Sequence, residues 1–330
     1  MLILTKSVLA LMISFLISVL FAVIVIPLLR KLHAGQRLSI YLEEAHKKKQ
    51  GTPTMGGIIF IIPTLFAYLL LFLMGKVTIN ISILIVLITF FGYAFIGFLD
   101  DYLIIKRHNN KGLSESQKLL GQLIIAVLFF YLFSIGGNEP LLWIHTFGIK
   151  INIGWWYGLF ILFVLVASSN AVNLTDGLDG LAGGLSVIAF LTFGIISINT
   201  GWLEGYEELS IFAFLLVGSL LGFLVFNVSP AQVFMGDTGS LCLGATLGTY
   251  AILTRHELLL IIVGFVFVME TVSVILQRYY YKLTHKRLFL MAPIHHTFEK
   301  MGWNERNIVK LFWIIGLIAS LISLLFSTWI

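Results

Sequence analysis

The feature of this sequence that most constrains its fold is a succession of long runs that carry almost no charge. Ten such runs occupy residues 8–29, 55–74, 81–99, 119–135, 155–172, 181–198, 209–228, 240–253, 258–276 and 311–330. Most of them approach the ~20 residues that a helix needs to cross ~30 Å of hydrocarbon. The pattern predicts an all-α polytopic membrane protein of about ten transmembrane helices, with residues 1–330 forming a single integral membrane domain.

Composition and cysteine usage exclude other classes of protein. Only 11% of the residues are charged and 59% are hydrophobic, whereas soluble domains are about 25% charged. The single cysteine, Cys242, excludes a disulfide framework and is interpreted as a small packing residue. The first run is too long for a cleaved signal peptide and is interpreted as a retained span. The run at 240–253 is short and glycine-rich, so a re-entrant segment remains an alternative there.

The distribution of positive charge predicts the orientation of the spans. With ten alternating spans, the segments 30–55, 100–118 and 277–310 lie on one side and carry 17 of the 21 Lys and Arg residues. By the positive-inside rule this side is cytoplasmic, and both termini are extracytoplasmic. Omitting the run at 240–253 would place the seven positive charges of 277–310 outside, which favours keeping it. The formal net charge of +5 therefore reflects topology and does not indicate nucleic-acid binding.

All five aspartates fall on the predicted cytoplasmic side, namely Asp100, Asp101, Asp176, Asp179 and Asp237. Asp100 and Asp101 end the third span, and the lysines Lys106 and Lys118 follow them. Adjacent carboxylates resist ionising together unless a cation lies beside them. Carboxylate oxygens at a helix end suit Mg²⁺, which shares its ligands with substrate phosphates. A solvated helix terminus is the alternative interpretation.

A second group of polar residues lies in residues 168–184, which read SSNAVNLTDGLDGLAGG. Asn173, Asp176 and Asp179 are spaced three apart, so they share a face in a helical turn or converge in the loop that Gly177 and Gly180 favour. An EF-hand is excluded because no terminal Glu follows at the required distance. A purely structural turn remains possible.

The third acidic motif, NVSPAQVFMGDTGS at 227–240, places Asp237 just ahead of the eighth span. The amide groups at the start of that helix are suited to bind a phosphate or a carboxylate. Phe234 lies three residues before Asp237 and is available to stack on a planar base, although simple packing is the alternative.

The last cytoplasmic segment and the ninth span contain further titratable groups. His295, His296 and Glu299 lie within one helical turn of each other. A zinc site normally requires more nitrogen or sulfur ligands than these, so phosphate contact or acid–base chemistry is the better interpretation for the histidines. Glu270, with Gln277 on the same helix face, is a carboxylate within an apolar span. Such a residue is by default a candidate for function, although it can also serve helix packing.

These groups together favour an enzyme that joins two phosphate-bearing substrates at the cytoplasmic face. A divalent cation with Lys and Arg side chains neutralises two anions that would otherwise repel, and it stabilises a leaving phosphate. The acidic signature of the transferases that act on nucleotide-linked alcohols is absent from the sequence.

The motifs resemble those of the polyprenyl-phosphate N-acetylhexosamine-1-phosphate transferases over essentially the whole chain. They are KQGTPTMGG at 49–57, GFLDDY at 97–102, NLTDGLDGLAGG at 173–184, NVSPAQVFMGDTGS at 227–240 and MAPIHHTFEKMGW at 291–303. The aspartate motifs are common to the family. The first and the last motif point to the branch that transfers phospho-N-acetylmuramoyl-pentapeptide.

This resemblance implies transfer of phospho-MurNAc-pentapeptide from UDP-MurNAc-pentapeptide to undecaprenyl phosphate, with Mg²⁺, giving lipid I and UMP. It implies that Asp237 is the principal Mg²⁺ ligand and that Asp100 and Asp101 are a catalytic pair near the lipid phosphate, with Asp100 a second metal ligand. Lys106 and Lys118 are expected beside them. The implied substrate contacts are Lys49, Thr54, Asn173, Asp176, Gly177, Leu178, Asp179, Gln277 and Ala292, with Phe234 stacking on uracil.

His295 and His296 match the first two of three histidines in the family motif, whereas Thr297 replaces the third. We therefore expect His295 and His296 to contact the diphosphate. A phosphate monoester has a second pKa near ~6, so the lipid phosphate is already a nucleophile at neutral pH. This favours direct displacement, with Asp100 orienting the acceptor, over a covalent aspartyl phosphate.

The resemblance also implies a bacterial inner (plasma) membrane location, a homodimer and no nucleic-acid partner. Two other functions remain as alternatives. One is a GlcNAc-1-phosphate transferase acting on undecaprenyl phosphate. The other is a cation-coupled transporter, which would distribute acidic residues through the bilayer midplane, where only Glu270 lies.

Overall fold

The computed structural model describes residues 2–32, 49, 51–107, 112–144 and 148–328. Most of the predicted cytoplasmic segment 30–55, including Gln50 of the first motif, and the last two residues of the predicted tenth run lie outside the described residues. The helices are α1 (Leu2–Lys31), α2 (Ile58–Leu73), α3 (Ile81–Arg107), α4 (Glu115–Ile135), α5 (Trp156–Thr175), α6 (Leu181–Asn199), α7 (Tyr206–Asn227), α8 (Gly236–Leu253), α9 (Leu259–Val263), α10 (Phe265–Thr284), α11 (Ile294–Lys300) and α12 (Glu305–Thr328).

The structure confirms a helical polytopic membrane protein, but it does not confirm the number of ten spans. Within the described ranges, seven helices are long and apolar enough to cross a membrane, namely α1, α3, α4, α5, α6, α7 and α12. The run at 55–74 forms the 16-residue α2, which is shorter than a typical span. The run at 258–276 is interrupted at Gly264, where α9 ends and α10 begins.

One departure from the all-α prediction is a short hairpin between α4 and α5. Strands β1 (Leu141–Ile144) and β2 (Ile149–Asn152) pair antiparallel, with Trp143 opposite Lys150. The Lys150 ammonium lies 4.1 Å from the centre of the Trp143 ring. Strands of four residues are too short to produce a clear alternation of polar and apolar residues, which is why no sign of them is visible in the sequence.

Helix α8 lies at the centre of the molecule, where every residue from Thr238 to Leu253 is buried. It packs against α3 on one side and α5 on the other. The Sγ atom of Cys242 donates a hydrogen bond to the Phe90 carbonyl of α3 at 3.2 Å, which confirms the prediction that this cysteine is a packing residue. The run at 240–253 is therefore a buried central helix.

Two helices approach each other closely where α3 passes the start of α8. A Cβ atom on Gly97 would lie 2.1 Å from the carbonyl oxygen of Asp237 and 2.6 Å from the amide nitrogen of Thr238. Side chains larger than hydrogen do not fit at such a contact between backbones. The glycine therefore allows the end of α3 to bring its two aspartates to the first turn of α8.

Candidate functional site

An ion pair network joins the third and eighth helices at the predicted cytoplasmic face. The Lys118 ammonium lies 2.7 Å from Asp237 Oδ2 and 3.1 Å from Asp100 Oδ2. We call Asp100, Lys118 and Asp237 the bridged cluster. Since one cation lies between both carboxylates, the repulsion that would keep them apart is compensated. The structure thus brings together three of the residues that the sequence assigned to catalysis.

Local structure fixes both ends of this bridge. Ser114 and Gln117 form a capping box at the start of α4, which places Lys118 on the first turn of the helix. The Leu113 amide donates to Asp100 Oδ1 at 2.7 Å. A Cβ atom on Gly112 would lie 2.3 Å from that same oxygen, so the chain wraps closely around the Asp100 carboxylate.

Asp101 has surroundings different from those of its neighbour. Its Oδ2 accepts hydrogen bonds from the amide of Thr238 at 2.9 Å and from the Thr238 hydroxyl at 2.6 Å. Its Oδ1 accepts from the amide of Asp237 at 3.2 Å. A carboxylate that accepts hydrogen bonds from the first amides of a helix stabilises that helix end. Asp101 therefore holds α8 in the position that presents Asp237.

Asn173, at the end of α5, completes the surroundings of Asp237. Its amide nitrogen donates to Asp237 Oδ1 at 2.8 Å and to Ser240 Oγ at 2.9 Å. Both oxygens of Asp237 are thus held from opposite sides, one by Asn173 and the other by Lys118.

A cavity of about 280 Å³ opens beside the bridged cluster. Nine of the residues that the sequence assigned to the site line it: Lys49, Asp101, Asn173, Asp176, Gly177, Leu178, Asp179, Phe234 and Asp237. Ile104, Asn227 and Gly236 complete the lining. Residues from four of the five sequence motifs therefore line one cavity, and Lys49 is the residue that the first motif contributes.

The loop that carries Phe234 is paired with the first motif through the backbone. The amide of Phe234 donates to the Pro53 carbonyl at 2.8 Å, and the amide of Gly56 donates to the Phe234 carbonyl at 2.8 Å. This pairing holds the half-buried Phe234 ring at the cavity wall. An aromatic ring in this position is suited to stack on a planar base.

The far wall of the cavity contains a second charged group. The Lys49 ammonium donates to Asp179 Oδ1 at 2.7 Å and to Glu305 Oε1 at 2.6 Å. We call Lys49, Asp179 and Glu305 the Lys49 triad. Burial lowers the pKa of Lys49, but its hydrogen bonds to the two carboxylates outweigh burial and raise the pKa above its ordinary value. Lys49 therefore carries its charge at any physiological pH.

Asp176 lies between the bridged cluster and the Lys49 triad. Burial, followed by the nearby carboxylates Asp237, Asp101 and Asp179, raises the pKa of Asp176 well above its ordinary value. A carboxyl group with a raised pKa is both a proton donor and a hydrogen-bond donor over a wider pH range.

Two histidines lie behind the cavity, on the short helix α11. The buried His295 has its Nδ1 3.1 Å from Glu270 Oε2, so the intramembrane carboxylate pairs with the first histidine. A Cβ atom on the cavity residue Gly177 would lie 2.3 Å from His295 Nε2, which places the imidazole directly behind that glycine. His296 Nδ1 lies 2.5 Å from Glu299 Oε2, as the spacing predicted.

Thr297, which stands where the family motif has a third histidine, has a structural role. Its hydroxyl donates to the Met291 carbonyl and accepts from the Met291 amide at 3.3 Å. Thr297 therefore closes the loop that leads into α11.

Four further predicted site residues are neither in the bridged cluster nor among the residues that line the cavity. The Lys106 ammonium lies 5.9 Å from the centre of the exposed Tyr102 ring. Gln277 accepts hydrogen bonds from the Leu288 and Phe289 amides at 3.1 and 2.8 Å. Thr54 is buried behind Gly236, and Ala292 is half-buried in the segment before α11.

Several residues that hold the site together were not found from the sequence. Glu305 and Thr238 lie at helix starts beside other polar residues that do not distinguish them, and Leu113 contributes only its backbone amide. Asn227 accepts from the Gly180 amide at 3.1 Å and donates to the Val233 carbonyl at 2.9 Å, which joins two motifs. Glu305 is near the last motif, but no pattern of spacing connects it to Lys49.

The donor atoms of the bridged cluster fit Mg²⁺ better than a transition metal. Within the described residues, no group of three or more His, Cys, Asp or Glu side chains is arranged to hold a metal ion. Asp100 and Asp237 already share one cation, the Lys118 ammonium, through their Oδ2 atoms. Mg²⁺ is typically bound by one or two carboxylates together with waters and substrate phosphates.

Comparison with known proteins assigns the chain to a family. Residues 83–255, which contain Asp100, Asn173 and Asp237, match the model of glycosyl transferase family 4. Residues 49–61, which begin with Lys49, match signature 1 of the phospho-N-acetylmuramoyl-pentapeptide-transferases.

Relatives with that name match along nearly their whole length. The chain is 44% identical to a phospho-N-acetylmuramoyl-pentapeptide-transferase of Geobacillus sp. (strain WCH70), with 98% of both chains covered. It is 46% identical to that of Listeria monocytogenes serotype 4b, with 94% of this chain and 95% of the relative covered. It is 44% identical to that of Bacillus licheniformis, with 96% of each covered. The chain therefore belongs to glycosyl transferase family 4 and, within it, to the phospho-N-acetylmuramoyl-pentapeptide-transferases.

Proposed function

We propose that this chain transfers phospho-MurNAc-pentapeptide from UDP-MurNAc-pentapeptide to undecaprenyl phosphate, giving lipid I and UMP. The observation that carries the proposal is the cavity that joins the bridged cluster to the Lys49 triad. One end of this cavity has carboxylates bridged by a cation, and the other end has a charged lysine beside an aromatic side chain. The first end suits phosphoryl transfer, and the second suits recognition of a nucleotide.

We propose that Mg²⁺ is bound by Asp237 and Asp100 when the donor is present. The ion, when bound, neutralises the charge that develops on the transferring diphosphate. Lys118 supplies a further positive charge at the same place, and Asn173 fixes the orientation of Asp237. Asp101 acts indirectly, because its oxygens hold the first amides of α8.

We propose direct displacement, in which a phosphate oxygen of undecaprenyl phosphate attacks the β-phosphorus of the donor. The bond between that phosphorus and the bridging oxygen breaks, and UMP leaves with the bond's electrons. Asp100 orients the acceptor phosphate and removes its remaining proton, if one is present. The nucleotide is held by Phe234, Lys49 and Asp179, with His296 on the diphosphate side and the buried His295 supporting the Gly177 turn from behind.

A covalent two-step reaction is the mechanistic alternative, and it predicts different products. Incubation with the UDP donor alone would then release UMP and leave phospho-MurNAc-pentapeptide covalently bound to Asp100. Direct displacement predicts neither UMP release nor labelling of the protein in the absence of undecaprenyl phosphate. Either product with donor alone contradicts the direct reaction.

We propose that the chain spans the bacterial inner (plasma) membrane ten times, with both termini on the extracytoplasmic side. Support comes from the seven long apolar helices together with α2, α8 and the pair α9–α10, which occupy the three remaining apolar runs. The bridged cluster then lies at the cytoplasmic face, where nucleotide sugars are made. We further propose a homodimer, for which the resemblance is the only support.

The choice of donor tests the proposed function. The purified protein is incubated with undecaprenyl phosphate, Mg²⁺ and one UDP sugar at a time, and released UMP is measured. We expect release with UDP-MurNAc-pentapeptide and none above background with UDP-GlcNAc. Release with UDP-GlcNAc alone would favour the GlcNAc-1-phosphate transferase alternative, and release with neither donor would contradict both.

A further inference from the structure

Glu305 is a carboxylate to which the sequence assigned no role, yet it contacts two residues of the cavity wall. Its Oε1 accepts a hydrogen bond from the Lys49 ammonium at 2.6 Å and another from the Asp179 amide at 2.8 Å. Asp179 in turn accepts from Lys49 at 2.7 Å and from the Ala231 amide at 3.0 Å. Glu305 does not itself line the cavity.

The helix that carries Glu305 is anchored independently of the cavity. Asn304 accepts from the Arg306 amide at 3.0 Å, which caps the start of α12. Eight residues further along α12, the Trp313 ring packs so closely on Gly184 of α6 that a Cβ atom there would lie 2.1 Å from it. Because α12 is held against α6, the position of the Glu305 carboxylate beside Lys49 and Asp179 does not depend on the cavity being occupied.

The charges and burial of the triad make this contact important for Lys49. The side chains of Lys49, Asp179 and Glu305 are only 15%, 3% and 19% exposed. A partly buried ammonium with one partner would be left with unsatisfied donors and a costly desolvated charge. Glu305 supplies the second anionic partner, and hydrogen bonds between charged groups are the stronger kind.

We propose that Glu305 is a positioning residue of the donor nucleotide subsite, which acts by fixing Lys49 and the Asp179 turn rather than by touching the substrate. This inference rests on the proposed function, in that the donor nucleotide occupies this cavity. Loss of the Glu305 charge then weakens nucleotide binding and raises the KM for the donor, whereas kcat changes little because the bridged cluster is undisturbed.

The test compares Glu305→Gln with the wild-type protein in detergent. UMP binding is measured by calorimetry, and the KM and kcat for UDP-MurNAc-pentapeptide are measured by UMP release. We expect the Kd for UMP and the KM to rise roughly 10-fold to 100-fold, the range of one hydrogen bond to a charged group. The control is Glu207→Gln, since Glu207 lies at the start of α7 in a 4.0 Å pair with Lys6 and is far more exposed.

A double-variant cycle separates positioning from a general structural role. Glu305→Gln keeps an oxygen that can accept from the Asp179 amide, so the loss of its charge acts through Lys49. In a Lys49→Met background this substitution therefore changes the Kd for UMP by no more than roughly twofold. A residue that merely stabilises α12 would instead lower the melting temperature, reduce kcat through loss of folded enzyme, and leave the Kd of the folded fraction unchanged.

A second variant keeps the proposal falsifiable if Glu305→Gln does not fold. Glu305→Asp keeps a negative charge at the first position of α12, but its side chain is one methylene shorter. Its carboxylate therefore contacts Lys49 less closely, and we expect the Kd for UMP to rise by roughly threefold to tenfold. A wild-type Kd in either folded variant, or full additivity in the cycle, would overturn the proposal. Wild-type protein that binds no UMP would instead contradict the proposed function.

Discussion

Asp100 and Asp101 are adjacent residues of the same type, but their surroundings give them different roles. Asp100 faces Lys118 and the Leu113 amide, whereas Asp101 accepts three hydrogen bonds from the first turn of α8. From the sequence both were assigned to a catalytic pair. The two side chains leave α3 in different directions. The groups that each one meets are determined by how α3 packs against its neighbours, which the sequence alone does not show.

At the scale of single residues, Gly97→Ala should inactivate the enzyme. The new methyl group would lie 2.1 Å from the Asp237 carbonyl oxygen, so α3 and α8 have to move apart. A displacement of about 1 Å in a catalytic group is enough to reduce the rate about 100-fold. UMP release by the purified variant measures this effect.

The matched control is Gly92→Ala on the same helix. Its methyl group would meet the end of the Ile125 side chain at 2.7 Å, and that side chain can rotate away. We expect this variant to retain its activity. Equal activity of the two variants would show that the close approach at Gly97 is not needed.

At the scale of elements, α10 and α11 are joined by the buried contact between Glu270 and His295. We expect Glu270→Leu to lower the free energy of unfolding by about 1–3 kcal/mol, because the buried His295 amide and imidazole lose the carboxylate beside them. The melting temperature in detergent reports this loss. Adding His295→Leu should recover part of the stability without recovering activity, and an unchanged melting temperature in Glu270→Leu would contradict the structural pairing.

The connection between α8 and α9 predicts a pH dependence. Burial is the main cause that raises the pKa of Glu257 from 4.5 to about 7, against the hydrogen bond from Tyr157 and the charge of Arg255. The folded state therefore binds a proton on Glu257 more tightly than the unfolded state does. The contribution of this proton to the free energy of unfolding is full below pH 4.5 and is lost as the pH rises through about 7.

The variant Glu257→Gln removes that titration. The melting temperature of the variant minus that of wild-type protein should increase between about pH 5 and about pH 8. Over this range only the wild type loses stability, by up to about 3 kcal/mol in its free energy of unfolding. The introduced amide retains an oxygen that can accept from the Tyr157 hydroxyl. A difference that stays constant with pH would contradict the raised pKa.

The sequence predicted the long helices well, because an uncharged run of spanning length has few alternatives to a helix in hydrocarbon. It did not predict the break at Gly264 or the hairpin at 141–152. Both depend on contacts between elements. The hairpin is too short for its pattern to be recognised, and a glycine within an apolar run does not by itself end a helix.

At the scale of the whole molecule, the motifs identified most of the cavity but not the links between its walls. The aspartates and Asn173 were found because polar residues are unusual beside apolar spans, whereas the stacking role of Phe234 was predicted mainly from the family resemblance. Glu305 and Thr238 were missed because their partners, Lys49 and Asp101, are more than a hundred residues away in the chain. Lys106 and Gln277 were expected in the site, yet they lie outside the cavity lining.

The proposed topology can be measured by labelling introduced cysteines in intact protoplasts. Cys242 is buried, so the wild-type chain should not react with a membrane-impermeant maleimide. We expect Trp155→Cys, at a side chain 87% exposed beside the hairpin, to react from outside. Lys282→Cys, near the end of α10, should react only after permeabilisation, and reaction in intact protoplasts would contradict the ten-span arrangement.

Phosphoryl transfer is proposed to take place at the bridged cluster, with Mg²⁺ held by Asp237. The most direct test is the Mg²⁺ dependence of UMP release by Asp237→Asn, with undecaprenyl phosphate and UDP-MurNAc-pentapeptide as substrates. We expect the variant to fold, to retain its melting temperature to within a few degrees and to have no Mg²⁺-dependent turnover. Wild-type activity of Asp237→Asn at low Mg²⁺ would contradict it.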